Sequence, residues 1–295
     1  MATPTFPSRK IARLYQNVPQ DQLERFQAFR LRYPYQTIVS KGLPWRVIDT
    51  REGKAPLFVP ASGTGVAEVS WQTLEHLAQT YRVISLDCPP VSSLQELFAG
   101  AVACLDHLGI DQFDALGGSG GTVFLQPFVR CYPQRVRKLA LTTPVPPDPA
   151  RGAQLRNMLR VFRFVPTFLI RALLMRSFER LGGKETTQTE LAQVMALTKE
   201  IVLYRLRREN FITLFSLVAD MTESFSYSPV DLQDWPGRIL LVFGGEDPST
   251  PQAVRAQMLA LYPQAQVKVF EGAGHGVALS HQEEYFAALD EFLAG

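Results

Sequence analysis

The chain has 295 residues, of which 46% are hydrophobic and 20% are charged, a globular composition long enough for one large domain or two modest ones. A formal net charge of +2 excludes the basic excess of a dedicated nucleic-acid-binding protein, so no nucleic-acid partner is expected. The three cysteines are widely spaced and odd in number, which indicates neither a disulfide framework nor a zinc cluster.

No targeting signal is expected in the N-terminal stretch. Residues 1–16 contain no uninterrupted apolar run of signal-peptide length. Nowhere does the sequence approach the ~20 consecutive apolar residues that a membrane-spanning helix needs. We therefore expect a soluble, cytoplasmic protein.

The first half of the chain predicts a helix, a hairpin and then alternating strands and helices. A short helical pattern spans 21–32, and extended runs on either side of 41–43 are typical of an antiparallel hairpin. The strand-like runs that follow read APLFVPA, YRVISLD, FDALGGS and RKLALTT, with helical patterns between them. Near-continuous apolar strands separated by helices indicate a parallel sheet covered on both faces.

The second half changes rhythm and then returns to alternation. After Pro144, about 80 residues show helical periodicity without strands. Strand-like runs resume with RILLVFGGED and AQVKVFEGA, each followed by a helix. The middle block therefore predicts a helical insertion over the sheet.

The pentapeptide GGSGG at 117–121 allows two interpretations. It is either a flexible linker or phosphate loop, or a sharp turn that exposes the hydroxyl of Ser119. Its position between a predicted buried strand and a helix favours the turn, in which the N–H of Gly120 points towards a developing oxyanion. Pro127 lies inside the helix that follows, and a kink is expected there.

A serine nucleophile needs a base and a carboxylate that orients the base. His275 lies in a glycine-flanked loop after the last predicted strand, whereas the other three histidines fall within or at the start of helices. Asp247 follows the penultimate strand, and its neighbour Glu246 stays an alternative. The chain order Ser119, Asp247, His275 is that of a triad on a doubly wound sheet.

This constellation resembles the α/β-hydrolase family, with Gly117-x-Ser119-x-Gly121 at the turn and a helical insertion after the strands. The resemblance covers nearly the whole chain from the hairpin onward. It implies an α/β fold with a doubly wound, mostly parallel sheet and an N-terminal antiparallel hairpin. The implied division is a core at 35–146 and 231–295, a helical cap at 147–230 and an N-terminal segment at 1–34.

Two further features follow from the resemblance. The stretch 60–65 after the third strand lacks the His-Gly pair of many relatives, so the oxyanion hole is expected to combine the N–H of Gly120 with that of Ser62 or Gly63. The stretches PLFVPASGTG, YRVISLDCPPV and LDHLGIDQFDALGGSGG are also similar, more weakly, to maspardin-like proteins. That similarity would favour a binding or adaptor role.

The predicted cap is basic and apolar. Between residues 151 and 180 there are seven arginines and one acid, and Arg156, Arg160 and Arg163 recur at helical spacing. Such a helix either covers a pocket and exposes a solvated outer face, or makes weak contact with anionic lipid. Both interpretations predict an apolar pocket for an uncharged ester or other acyl substrate.

The sequence therefore predicts a serine hydrolase of the carboxylesterase or lipase type, class EC 3.1. Ser119 is the expected nucleophile, His275 the base and then acid, and Asp247 the orienting carboxylate; no metal or organic cofactor is needed. Two alternatives stay open, because a fold does not fix a chemistry. One is a non-catalytic, maspardin-like adaptor, and the other is a cofactor-free lyase or peroxidase that uses the same triad.

Overall fold

A computed structural model describes residues 8–53, 55–162, 164–179 and 186–295. Its centre is one eight-stranded sheet. The strands are β1 (Gln36–Ser40), β2 (Leu43–Asp49), β3 (Ala55–Phe58), β4 (Tyr81–Leu86), β5 (Phe113–Gly118), β6 (Val136–Thr142), β7 (Arg238–Gly244) and β8 (Gln266–Phe270). The helices are α1 (Arg9–Ala12), α2 (Gln20–Arg32), α3 (Trp71–Leu77), α4 (Leu94–His107), α5 (Gly120–Cys131), α6 (Pro149–Phe162), α7 (Thr167–Phe178), α8 (Gln188–Glu200), α9 (Arg208–Glu223), α10 (Gln252–Leu261), α11 (Val277–Ser280) and α12 (Gln282–Ala294).

The strands run in the order β1-β2-β4-β3-β5-β6-β7-β8. β1 and β2 form the predicted antiparallel hairpin, with Ser40 opposite Leu43 across a turn in which Lys41 and Gly42 both have positive φ. β2 is also antiparallel to β4. The remaining neighbours in the sheet, in the order β4, β3, β5, β6, β7 and β8, are parallel to one another. The predicted fold class is confirmed.

The two faces of the sheet carry separate apolar clusters, because successive side chains of a strand point to opposite faces. In β7, Val242 belongs to one cluster and Leu241 to the other. The first cluster is covered by α2, α3 and α12, and the second by α4, α5 and α10. The N-terminal α2 joins the first cluster through Phe26 and Phe29, which are almost fully buried.

The helical block between β6 and β7 contains α6 to α9, with a short π-helix (Ile201–Arg205) before α9. No strand lies among the residues of 147–230 that the structure describes. Arg163 of the predicted basic stripe, like 1–7, 54 and 180–185, lies outside the described residues. The assignment of 147–230 to a separate cap unit stays a prediction.

Two local features bear on predictions made from the sequence. α5 runs from Gly120 to Cys131 with Pro127 inside it and buried residues on both sides, and the kink expected at the proline stays a prediction. The stretch after His275, predicted as a loop, contains the single-turn α11.

Candidate active site

Ser119 lies at the junction of β5 and α5 in a strained conformation. Its φ of 49° and ψ of −112° put a non-glycine residue in a sparsely populated region, which costs roughly 1 to 3 kcal/mol. Flanking bonds hold it there, because its N–H donates to the carbonyl of Thr142 (3.0 Å) and its carbonyl accepts from the N–H and hydroxyl of Thr122 (2.9 and 2.7 Å). The backbone thus lifts the serine hydroxyl above the sheet edge.

Glycines on both sides of Ser119 let neighbouring backbone segments come very close. A Cβ at Gly117 would lie 2.9 Å from the carbonyl carbon of Gly121, and a Cβ at Gly121 would lie 3.2 Å from the carbonyl oxygen of Pro60. Real Cβ atoms essentially never come closer than 3.0 Å to another heavy atom, so Gly117 leaves no room for a side chain. The sharp turn therefore depends on glycine two residues before the serine.

The three predicted side chains meet at this edge. His275, in the loop after β8, has its Nε2 2.8 Å from the Oγ of Ser119. Its Nδ1 lies 2.9 Å from the Oδ2 of Asp247, in the loop after β7. Of the two neighbouring acids considered, Asp247 makes this contact, and its side chain is fully buried. The arrangement gives a continuous hydrogen-bonded path from hydroxyl through imidazole to carboxylate.

Asp247 is held ionised by its surroundings. Burial opposes the charged form, but the hydrogen bond and charge of His275, together with two hydrogen bonds from Ser249, outweigh it and lower the pKa of Asp247 to about 2. The N–H and hydroxyl of Ser249 donate to Oδ1 at 2.8 and 2.7 Å, and the hydroxyl of Thr250 donates to Oδ2 at 3.0 Å. The carboxylate is thus a fixed acceptor for the imidazole.

Sequence reasoning did not identify Ser249 as part of the site. Its hydroxyl lies 3.1 Å from the Nδ1 of His275 as well as 2.7 Å from Asp247. A signal was available, since an aspartate commonly accepts hydrogen bonds from the chain two residues on in a turn. The ring of His76, in contrast, stacks on Phe286 at 4.1 Å, and its Nε2 lies 2.9 Å from the Oδ2 of Asp290.

The oxyanion side of the site is formed where the loops after β3 and β5 meet. β4 and β5 lie on opposite sides of β3, which creates the crevice where ligands bind in open α/β sheets. A Cβ at Gly120 would lie 2.9 Å from the nitrogen of Gly63, and one at Gly63 would lie 4.0 Å from the Oγ of Ser119. Among the described residues, no acceptor is hydrogen-bonded to the N–H of Gly63 or Gly120.

Ser62, the other candidate donor, also lines the site. Its carbonyl accepts from the N–H of Gly65 at 2.7 Å, which closes the turn at 62–65. Ser62 and Gly63 both stay candidates for the second donor, and the contact with Gly120 favours Gly63.

A cavity of about 770 Å³ opens onto Ser119 and His275, within the size range of small-molecule sites. Phe178 of α7 forms part of its roof, 3.9 Å from the Cβ position of Gly63. Arg151 and Arg176 are the arginines in its wall. Most of the remaining wall is apolar and includes Trp45, Phe58, Leu97, Val123, Phe124, Leu174, Leu206, Phe211 and Phe215.

Cys88 also lines the cavity, but burial raises the pKa of its thiol to about 12. The thiol therefore stays protonated at neutral pH and is a poor nucleophile.

Within the four described ranges, no group of three or more His, Cys, Asp or Glu side chains is arranged to hold a metal ion. None of the helices in the described part of the chain combines the length and apolar character needed to cross a membrane.

Comparison with known proteins gives a consistent result. Residues 57–289 match the model of the alpha/beta hydrolase family. A 2-hydroxy-6-oxononadienedioate/2-hydroxy-6-oxononatrienedioate hydrolase from Pseudomonas putida is 28% identical over 274 residues, which cover 83% of this chain and 90% of that protein. A 2-hydroxymuconate semialdehyde hydrolase from Pseudomonas sp. strain CF600 is 25% identical over 276 residues, covering 87% and 93%.

Solved structures share the fold at lower identity. The 2-hydroxy-6-oxo-6-phenylhexa-2,4-dienoate hydrolase of Rhodococcus sp. strain RHA1 has a TM-score of 0.68 and 18% identity, over 89% of this chain and 99% of that one. A thermophilic esterase from Thermogutta terrifontis has a TM-score of 0.69 and 20% identity, over 88% and 98%.

Proposed function

This chain belongs to the alpha/beta hydrolase family, and from that premise we propose that it is a serine hydrolase in which Ser119 attacks a carbonyl carbon. The observation that carries the proposal is the hydrogen-bonded path from Ser119 to His275 (2.8 Å) and on to Asp247 (2.9 Å). The strained backbone at Ser119 supports the same role, because strain of this kind clusters at functional sites.

The proposed reaction has two steps. As the Oγ of Ser119 bonds to the carbonyl carbon, the Nε2 of His275 takes the hydroxyl proton, and Asp247 stabilises the resulting imidazolium. The negative oxygen accepts hydrogen bonds from the N–H of Gly120 and from that of Gly63 or Ser62. His275 then gives the proton to the leaving group as the bond between that group and the carbonyl carbon breaks, which leaves an acyl-enzyme. In the second step His275 deprotonates a water molecule, the water oxygen bonds to the acyl carbon, and the proton passes from His275 to the Oγ of Ser119 as the acid leaves.

The leaving group distinguishes two candidate reactions. The relatives are named for hydrolysis of 2-hydroxy-6-oxo acids, in which a carbon–carbon bond beside the ketone breaks. These names favour a carbon–carbon bond hydrolase acting on an oxo acid over the expected carboxylesterase or lipase. The largely apolar cavity suits an unsaturated chain, and Arg151 in its wall complements a carboxylate.

Ester hydrolysis is the second candidate, favoured by the apolar cavity wall, which suits an uncharged acyl group. The resemblance to maspardin-like proteins stays a prediction, and with it the adaptor role. A lyase or peroxidase reaction likewise stays open until turnover is measured.

A fluorophosphonate probe tests the nucleophile. We expect wild-type protein to be labelled and Ser119→Ala to be unlabelled. Ser62→Ala is the matched control, because it removes another hydroxyl from the same cavity while keeping its backbone N–H. If folded wild-type protein stays unlabelled, or if Ser119→Ala is labelled as fast as wild type, Ser119 is not an activated nucleophile. Either result would favour the adaptor role.

Turnover then separates the two reactions. The absorbance of 2-hydroxy-6-oxo-6-phenylhexa-2,4-dienoate should fall as its conjugated chain is cleaved, whereas p-nitrophenyl butyrate reports ester hydrolysis. We expect the larger kcat/KM for the oxo acid. A larger value for the ester would assign the site to ester hydrolysis instead.

A further inference from the structure

α7 presents apolar side chains to the interior and to the surface. On its inner side, Ile170 is buried and Leu174 lines the cavity. On its outer side, Phe168 is 67%, Leu169 44% and Leu173 60% exposed. A surface helix of a globular protein normally has a polar outer face, and contiguous exposed apolar side chains mark an interaction site. We call Phe168, Leu169 and Leu173 the α7 outer face.

The chain that precedes and forms α7 is rich in arginine, and one acid, Glu179, follows α7 directly. From 149 to 178, the sequence contains six arginines and neither Asp nor Glu. Arg156 is paired, with Glu223 of α9 at 2.7 Å. Arg171 donates to the carbonyl of Leu206, and Arg176 is exposed, one turn beyond Leu173 on the same side of α7. Neither arginine has an acidic partner within the residues the structure describes.

We propose that the α7 outer face docks this protein on an anionic lipid surface. The apolar side chains would enter the boundary between headgroups and acyl chains, and the arginines would contact lipid phosphates. Leu173 belongs to both the α7 outer face and the cavity wall, so the docked face adjoins the mouth of the active-site cavity. A substrate whose apolar chain is held in the lipid would then have a short route to Ser119.

Charge and shape argue against other occupants. A second copy of the chain bound about a two-fold axis would bring like arginines together. A nucleic acid would meet exposed phenylalanine and leucine at the centre of the contact, in a chain whose net charge is only +2. An anionic lipid surface satisfies the apolar and the cationic side chains at once.

Co-sedimentation of the full chain with vesicles tests the proposal. Vesicles of phosphatidylcholine alone are compared with vesicles of equimolar phosphatidylcholine and phosphatidylglycerol. Each binding measurement is made at about 0.1 M salt and at about 1 M salt, where the Debye lengths are about 10 Å and about 3 Å. We expect binding to the anionic vesicles at low salt, weak binding to the neutral ones, and loss of binding at high salt.

Variants locate the contact. Phe168→Gln combined with Leu169→Gln should weaken anionic-vesicle binding by about tenfold or more, because two apolar side chains no longer leave water. Leu31→Gln on α2 is the control, since Leu31 is 84% exposed and lies on another element. Arg176→Gln should weaken binding about fivefold, the effect of one basic residue near an anionic surface, whereas Arg13→Gln should not.

Three results would overturn the proposal. One is absence of binding to anionic vesicles at low salt. Another is equal binding by wild type and the Phe168→Gln, Leu169→Gln variant. The third is a wild-type dimer in light scattering that this variant dissociates, which would assign the α7 outer face to a second copy. Ser119→Ala should bind vesicles like wild type, so failure of the proposed hydrolase function would leave the docking result intact.

Discussion

The two glycines that flank Ser119 differ in the space around them, and this difference gives a matched pair of variants. A Cβ at Gly118 would meet no atom within 4 Å. A Cβ at Gly120 would lie 2.9 Å from the nitrogen of Gly63 and 3.0 Å from its Cα. These atoms belong to the backbone, so Gly120→Ala can be accommodated only if the loop after β3 moves away from Ser119.

The magnitude follows from what that loop supplies. If the N–H of Gly63 is the second oxyanion donor, its displacement removes one of two donors, which costs ~100-fold to ~1000-fold in kcat, or about 3 to 4 kcal/mol. The added methyl group costs about 1 to 3 kcal/mol of folding free energy through overpacking. Gly118→Ala introduces no contact, and its kcat should stay within about threefold of wild type.

Three measurements check this pair: kcat on the better of the two substrates, the rate of fluorophosphonate labelling, and the thermal midpoint. Labelling should slow with kcat in Gly120→Ala, because the phosphonate oxygen occupies the same hole as the oxyanion. The reasoning is refuted if folded Gly120→Ala keeps more than about a tenth of wild-type kcat, since one lost donor costs at least ~100-fold. Equal losses in both variants would also refute it.

Three further predictions concern the carboxylate side and the thiols. Asp247→Asn should lower kcat by about 10⁴-fold. Because the pKa of Asp247 is lowered to about 2, the ionised carboxylate should add about 2 kcal/mol to the free energy of unfolding at pH 5 and about 1 kcal/mol at pH 3, measured by denaturant unfolding of wild type against that variant. A difference that stays constant between these pH values would contradict the prediction. Ser249→Ala should lower kcat only about 2-fold to 10-fold, as the N–H of residue 249 still bonds Asp247, and a loss above ~100-fold would contradict this. Iodoacetamide should modify the exposed Cys131 before Cys88 and Cys104, because burial raises the pKa values of those two thiols to about 12. Mass spectrometry of the native protein gives the order of modification, and modification of Cys88 before Cys131 would contradict the prediction.

The parts of the site that the sequence predicts are those that follow from strand ends. Loops after parallel strands meet at one sheet edge, so the chain order Ser119, Asp247, His275 was enough to predict that these side chains converge. The glycine spacing around the serine predicted the turn, because a Cβ at Gly117 has no room. Both inferences rest on backbone geometry. The periodicity of apolar residues indicates where strands end, and the placement of glycines indicates where the backbone turns sharply.

What the sequence did not predict depends on side-chain packing between distant segments. Ser249 bonds both Asp247 and His275, but a serine in a proline-rich turn has many possible partners. The choice between Ser62 and Gly63 depends on how the loop after β3 packs on Gly120. The exposed outer face of α7 was also missed, since an apolar run in a helix indicates burial equally well.

A partly buried network of ion pairs links the helical block to the loop that carries Gly63, the proposed oxyanion donor. Arg205, in the π-helix before α9, lies 2.5 Å from Glu68, which follows the loop carrying Gly63. Arg30 of α2 also contacts Glu68 (2.8 Å) and reaches Glu200 at the end of α8 (3.0 Å). Buried ion pairs return little net stability, because desolvation offsets the attraction, but their hydrogen bonds fit only one relative orientation. The carboxylate of Glu68 joins the π-helix, α2 and the segment after Gly63. The position of the helical block is therefore coupled to the position of Gly63, the proposed oxyanion donor.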